Sequence, residues 1–200
     1  MEGRTTGKFS VLLVIAGIVL ALSGLSLPWY KFEFTGYTDL LEGGFYKGEY
    51  TCFREYYVFD DLGYLSGPGY NPWHGGIDDY RDLMTAETII ICLCVLLSIA
   101  CIAALLYDRK GLAVALCGLA AGAAIIAAAY FVLAVDDALS IYLDGVFTPD
   151  IPDSFVGSGT DESGTDWSWG PSSGWVLIVA SASVLSVVGM LQVVALREDQ

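Results

Sequence analysis

Four long stretches of the chain contain no charged residue and no histidine. They cover residues 9–28, 88–107, 112–135 and 174–196, and their lengths run from 20 to 24 residues. A helix needs about 20 predominantly apolar residues to cross the hydrocarbon core of a bilayer. Lipid offers no partner for backbone N–H and C=O groups, which favours helices over open strands. The pattern predicts a membrane all-α four-helix bundle, in a single domain that spans residues 1–200.

Two long segments, 29–87 and 136–173, separate these stretches. In the first, Phe32 and Phe34 alternate with polar neighbours, and a second alternating row runs over residues 46–52. A period of two is typical of half-buried strands. We expect about three antiparallel strands within residues 29–59, forming a small extracellular antiparallel β-sheet.

The segment 136–173 divides into parts with different patterns. Residues 136–143 continue the helical period of the third span. Residues 157–164 are rich in Gly, Ser and Asp or Glu, and we expect a flexible acidic loop there. Three tryptophans then lead into the fourth span, as in the aromatic belt of a membrane interface: Trp167, Trp169 and Trp175.

The basic residues are concentrated in short segments next to the four spans. Five of the nine Lys and Arg lie in residues 1–8, 108–111 and 197–200, and residues 136–173 contain none. Positive residues favour the cytoplasmic side, so we expect both termini in the cytoplasm, with segments 29–87 and 136–173 as outer loops of a cell-membrane protein. A secretory signal peptide is the alternative for the first span, whose 20 residues exceed a typical signal core of about 7–15.

The charge composition predicts an acidic outer surface. The chain is 55% hydrophobic and 16% charged, and its net charge is −14. The outer loops carry −7 and −8 and the inner segments carry +1. Nucleic acid is excluded as a partner because phosphate binding needs a basic surface. Acidic loops suit weak cation binding, a basic partner or solubility in a salty medium.

Residue types needed for several chemistries are scarce in the spans. Four of the five cysteines lie within spans, where thiols act as small apolar residues. The spans as delimited lack the ionisable residue typical of ion-coupled transport and the histidines or carboxylates of haem, zinc or di-iron sites. We therefore expect no enzyme activity and no cofactor. Gly118 and Gly122 form a GxxxG pair, which predicts helix packing.

Two alternatives remain open from the residues alone. A passive channel or transporter for cations would use the acidic loops to concentrate its ions. A metal-dependent outer-face enzyme would be centred on His74 with Asp78 and Asp79. The acidic run 161–166 is similar to a calcium loop, although it lacks the glycine and the final glutamate of an EF-hand.

Short motifs resemble those of the claudin and peripheral myelin protein superfamily. Leu27-Pro28-Trp29 is similar to the tryptophan motif after the family's first span, and Gly48-Glu49-Tyr50-Thr51-Cys52 to its Gly-Leu-Trp-x-x-Cys. Arg81-Asp82-Leu83-Met84 resembles the Arg-Ala-Leu-Met that opens the second span, and residues 144–149 echo an Asp-Phe-Tyr-x-Pro motif. The topology covers the whole chain. The family has two cysteines in its first outer loop, and the second of them is missing here, so the structural disulfide of the family cannot form.

The resemblance implies a claudin-like tetraspan, a left-handed bundle capped by a small sheet. It also implies adhesion, barrier formation or support of another membrane protein. We expect a non-catalytic adhesion or scaffold protein, or an accessory subunit, that contacts the lipid bilayer and binds another membrane or surface protein or a second copy of itself. The residues expected to hold the outer domain to the bundle are Trp29, Tyr50, Cys52 and Arg81.

Overall fold

The computed structural model describes residues 2–38, 44–52, 57–61, 77–143, 155–160, 164 and 166–198. Its helices are α1 (Glu2–Ser26), α2 (Ile77–Leu106), α3 (Lys110–Leu143) and α4 (Ser173–Glu198). Its strands are β1 (Tyr30–Thr38), β2 (Gly44–Cys52), β3 (Tyr57–Asp61), β4 (Gly157–Thr160) and β5 (Asp166–Pro171). The four predicted helices and the three strands predicted in the first long segment are confirmed.

Each helix contains a segment long and apolar enough to cross a membrane: Gly7–Ser26, Asp82–Leu106, Lys110–Val135 and Ser173–Glu198. Large apolar side chains lie on the outside of these helices, including Leu96, which is 64% exposed. Such side chains need lipid around them, because soluble proteins rarely expose extended apolar surfaces. The chain is therefore a multi-pass membrane protein in contact with the bilayer.

The helices are longer than the uncharged stretches that predicted them. α2 begins at Ile77, well before the uncharged range 88–107, and α3 continues to Leu143 as its pattern predicted. Charged residues mark where lipid ends, whereas a helix ends where its backbone hydrogen bonding ends. The two boundaries are therefore set by different interactions.

The chain forms two compact units. The helix unit comprises Met1–Leu25, Ala86–Tyr130 and Val176–Gln200, and the sheet unit comprises Ser26–Thr85 and Phe131–Trp175. The core of the helix unit consists mainly of small side chains, which let helices approach closely. Its buried members include Val14, Cys94, Cys101, Ala113, Cys117, Ala120, Ala121, Ala124, Leu185 and Val188.

Hydrogen bonds join α1 to α4 at two levels of the helix unit. The Ser181 hydroxyl donates to the carbonyl oxygen of Gly17 over 2.8 Å. The Gln192 Nε2 donates to the Ser10 hydroxyl oxygen over 2.6 Å, and both of these side chains are buried. Bonds of this kind between transmembrane helices contribute about 0.6–2 kcal/mol each.

The predicted GxxxG pair does not lie at a close helix contact. A Cβ added at Gly118 or Gly122 would meet nothing within 4 Å. The buried face of α3 instead follows Ala113, Cys117 and Ala124. Gly118 is rotated from Cys117 by about 100° around the helix axis, since a helix has 3.6 residues per turn. Within the described chain, close packing on α3 uses alanine and cysteine rather than this glycine pair.

The sheet unit contains one antiparallel sheet with the strand order β3-β2-β1-β5-β4. The expected flexible loop at residues 157–164 was wrong for Gly157–Thr160, which forms β4. Trp167 and Trp169, which we expected in an interfacial aromatic belt, both lie in β5 and are only 5% exposed. β5 pairs with β1 from the first long segment, a contact that local sequence does not encode.

Candidate binding surface of the sheet

One face of the sheet carries the buried aromatic side chains that the structure describes on β1 and β5. The central strand β1 places Tyr30 opposite Cys52 and Phe32 opposite Tyr50 on one side. On its other side, Phe32 is opposite Trp169. Residues directly opposite one another lie on the same face of a sheet. Tyr30 and Trp169 are 1% and 5% exposed, so the face on which they lie is buried at these positions.

The opposite face carries most of the exposed polar side chains described in the sheet, and we call it the polar face. Lys31 and Glu33 lie there, half-buried, and form an ion pair with each other. Ser158 and Ser168 are exposed and directly opposite one another on β4 and β5. Asp166 is also exposed and accepts a hydrogen bond from the Thr160 hydroxyl over 2.7 Å. The alternation along β1 and β5 thus separates an aromatic face from a polar one.

The buried face continues into a cluster of aromatic rings contributed by β1, α3, α4 and the segments just before β1 and β4. Trp29 is fully buried, and its ring centroid lies 5.0 Å from that of Phe131 in an edge-to-face arrangement. Tyr30 packs on Phe131 and Phe155, and Phe155 also packs on Trp175. Edge-to-face pairs contribute about 0.5–1.5 kcal/mol beyond their buried area. The buried Tyr30 hydroxyl donates to the Phe155 carbonyl oxygen over 2.8 Å.

The start of α4 is clamped against the segment that precedes β1. The Ser172 N–H donates to the Trp29 carbonyl over 2.8 Å, and the Gly174 N–H donates to the Pro28 carbonyl over 2.7 Å. A Cβ at Gly174 would lie 2.6 Å from Trp29 Cδ1 and 2.7 Å from the carbonyl oxygens of Leu27 and Pro28. Only glycine permits this approach.

The four residues expected to anchor the outer domain all fall in the sheet unit. Trp29 is a fully buried member of the aromatic cluster and packs on Phe131. Tyr50 and Cys52 hold register positions on β2 opposite Phe32 and Tyr30, and Arg81 lies in α2. The side chains of Tyr50, Cys52 and Arg81 lie outside the described part of the structure. Their anchoring role stays a prediction.

The proposed metal residues His74, Asp78 and Asp79 are not tested by the described part of the structure. His74 lies outside the described residues, and Asp78 and Asp79 fall in the first turn of α2. Of the acidic run 161–166, Gly164 is in a bend and Asp166 is in β5. Within the ranges the structure describes, no group of three His, Cys, Asp or Glu residues could hold a metal ion.

One ionisable residue that the sequence pattern assigned to the outer loop is buried. The expectation that the spans contain no ionisable residue was wrong, because Glu87 lies within the candidate span Asp82–Leu106. Its side chain is 0% exposed, and among the described residues neither carboxylate oxygen has a hydrogen-bond partner. Leaving a polar group unpaired in apolar surroundings costs about 2–7 kcal/mol, and an isolated charge costs far more. The glutamate stands one residue before an uncharged run, where sequence alone places the lipid boundary rather than a buried site.

Comparisons with known proteins add no relative to this description. No protein-family model matches the chain, and no functionally described protein matches it significantly. What the fold defines is a class, a multi-pass membrane protein with four long apolar helices and an amphipathic antiparallel sheet.

Proposed function

We propose that this protein is a non-catalytic tetraspan of the cell membrane that uses its sheet as a binding platform. It would act as an adhesion or scaffold protein, or as an accessory subunit. Its partner would be another membrane or surface protein, or a second copy of the chain. Claudin-like proteins combine the same number of spans with a small extracellular sheet, so the resemblance agrees with this role.

The observation that supports the proposal most is the amphipathic sheet assembled from both long segments of the chain. The aromatic side chains on one face of the sheet, Tyr30, Trp167 and Trp169, are already buried. Its polar face leaves Ser158 and Ser168 accessible. An accessible polar surface on paired strands suits recognition, since residues that are already ordered lose less conformational entropy when a partner binds.

The orientation is part of the proposal. The bias of Lys and Arg favours cytoplasmic termini, and therefore an extracellular sheet. Single cysteines introduced at Ser168 and at Asp108, both exposed positions, would test it in intact cells with a membrane-impermeant maleimide. We expect label above the wild-type level for the variant at position 168 and no increase over the wild-type level for the variant at position 108. The reverse pattern would invert the topology and remove the extracellular role.

Binding is tested by placing a photo-crosslinking amino acid at Ser168 in native membranes. We expect an adduct that contains either a second copy or a specific membrane protein. The adduct should weaken when Asp166 on the same face is changed to Lys, because charge reversal disrupts a complementary surface. The matched control is Glu198→Lys, an exposed reversal at the end of α4. A protein that gives no adduct from position 168 and remains monomeric would not be a binding platform.

A further inference from the structure

Glu87 is the buried group that the proposed binding role leaves unexplained. Its side chain has no solvent exposure, and both carboxylate oxygens lack partners among the described residues. It lies on the same face of α2 as Ile91 and Cys94, which are each 1% exposed. Spacings of four and seven residues keep a side chain on one helix face. The carboxyl group is therefore held in the interior by the helix itself.

An unpaired buried carboxylate must be neutralised by a basic side chain, by an inorganic cation or by a proton. Among the residues that the structure describes, basic side chains are badly placed, and Lys31 is already paired with Glu33. Arg109 and Lys110 lie beyond the far end of α2, about 30 Å along the axis at 1.5 Å per residue. Lys8 and Arg197 are close in sequence to the Ser10–Gln192 pair, which joins α1 to α4. The uncharged ranges of α1, α3 and α4 offer no charged group at any level.

The nearest base along the chain is Arg81, which occupies another side of α2. Glu87 is six positions after Arg81, so the two residues are separated by about 240° around the helix axis, beyond one full turn. Asp82 is the nearest other described acid on the helix, and its side chain is exposed. Neither residue holds the three- or four-residue spacing that brings side chains together on a helix.

An inorganic cation is a poorer fit than a proton. Metal ions such as Ca²⁺ and Mg²⁺ take six or more oxygen ligands. Across the described residues, no cluster of three His, Cys, Asp or Glu side chains exists to supply them. A proton needs a single carboxyl oxygen. We propose that Glu87 is a proton-binding site within the membrane-spanning part of α2, occupied as the neutral carboxylic acid at neutral pH.

The direct test is infrared spectroscopy of the purified full-length protein at neutral pH. A neutral carboxylic acid has a C=O stretch that is separate from the carboxylate bands. We expect this acid band in the wild type and its loss in Glu87→Gln, whose side chain has nearly the same shape. The matched control is Asp82→Asn on the same helix, which should leave the band unchanged. A folded Glu87→Gln variant with the same acid band as the wild type would overturn the proposal.

Ion substitution separates a proton from a metal ion. Spectra of the wild type in sodium, potassium and choline chloride should show the same acid band. A band that disappears in sodium or potassium but persists in choline would identify Glu87 as a metal-cation site and overturn the proton assignment.

A measurement on the unmodified protein covers the case in which Glu87→Gln does not fold. Dicyclohexylcarbodiimide is a lipid-soluble probe that reacts with neutral carboxylic acids in apolar surroundings. The acid oxygen adds to the central carbon and its proton moves to one nitrogen. The acyl group then migrates from oxygen to the other nitrogen, which gives a stable N-acylurea. Peptide mass analysis should find this adduct at Glu87 in preference to Asp82. Preferential modification of Asp82, or no adduct at Glu87, would contradict the proposal.

Discussion

Replacing Gly174 by alanine tests the clamp between the start of α4 and the segment before β1. The added methyl group would lie 2.7 Å from two backbone carbonyl oxygens and 2.6 Å from Trp29 Cδ1. Carbonyl oxygens cannot swing aside as a flexible side chain does, so α4 must move away. That movement breaks the 2.7 Å hydrogen bond from the Gly174 N–H to the Pro28 carbonyl.

The magnitude follows from the two effects. Overpacking a tight site costs about 1–3 kcal/mol, and the lost hydrogen bond adds about 1 kcal/mol. The expected loss in the free energy of unfolding is therefore about 2–4 kcal/mol. For a chain of this length, each kcal/mol lowers Tm by about 2–4 °C.

Gly189 provides the matched control on the same helix. A Cβ there meets nothing within 4 Å, so alanine should stabilise the helix by up to about 1 kcal/mol through its better propensity. Thermal unfolding in detergent, followed by tryptophan fluorescence and circular dichroism, should give Gly174→Ala a lower Tm than the wild type and Gly189→Ala an equal or higher one. If Gly174→Ala unfolds at or above the wild-type Tm, the steric reasoning is wrong.

Three further predictions concern packing in the two units. Trp29→Ala should lower the free energy of unfolding by about 3–5 kcal/mol. Trp29→Phe should lower it less, because its ring can still contact Phe131. Equal losses for the two variants would contradict a contribution from the ring contact. In a double-mutant cycle of unfolding free energies, Ser10→Ala and Gln192→Ala should show a coupling of about 0.5–1.5 kcal/mol, and additive losses would mean that the hydrogen bond contributes nothing. Gly118→Ala and Gly122→Ala should each leave stability unchanged or raise it by up to about 1 kcal/mol. A loss of self-association measured by crosslinking would instead place the glycine pair at a contact between chains.

The local pattern of the sequence determined which segments become helices and strands. Uncharged runs of bilayer length predicted the four helices because lipid imposes a length and forbids unpaired backbone groups. Alternation around Phe32 predicted β1 for a similarly local reason. The same alternation is present at Asp166–Trp169, where it indicates β5, but a strand this short forms only when a neighbour pairs with it.

What only the tertiary structure decided depends on contacts between segments distant in the chain. Three features depend on how distant segments pack together. They are the pairing of β5 with β1, the close approach at Gly174 and the burial of Glu87. The same holds for the rotation of α3 that turns Gly118 away from the packed face. Hydropathy indicates how apolar a helix is, but it does not indicate which face of the helix is buried. Packing against distant segments determines that face, and therefore the environment of each of these residues.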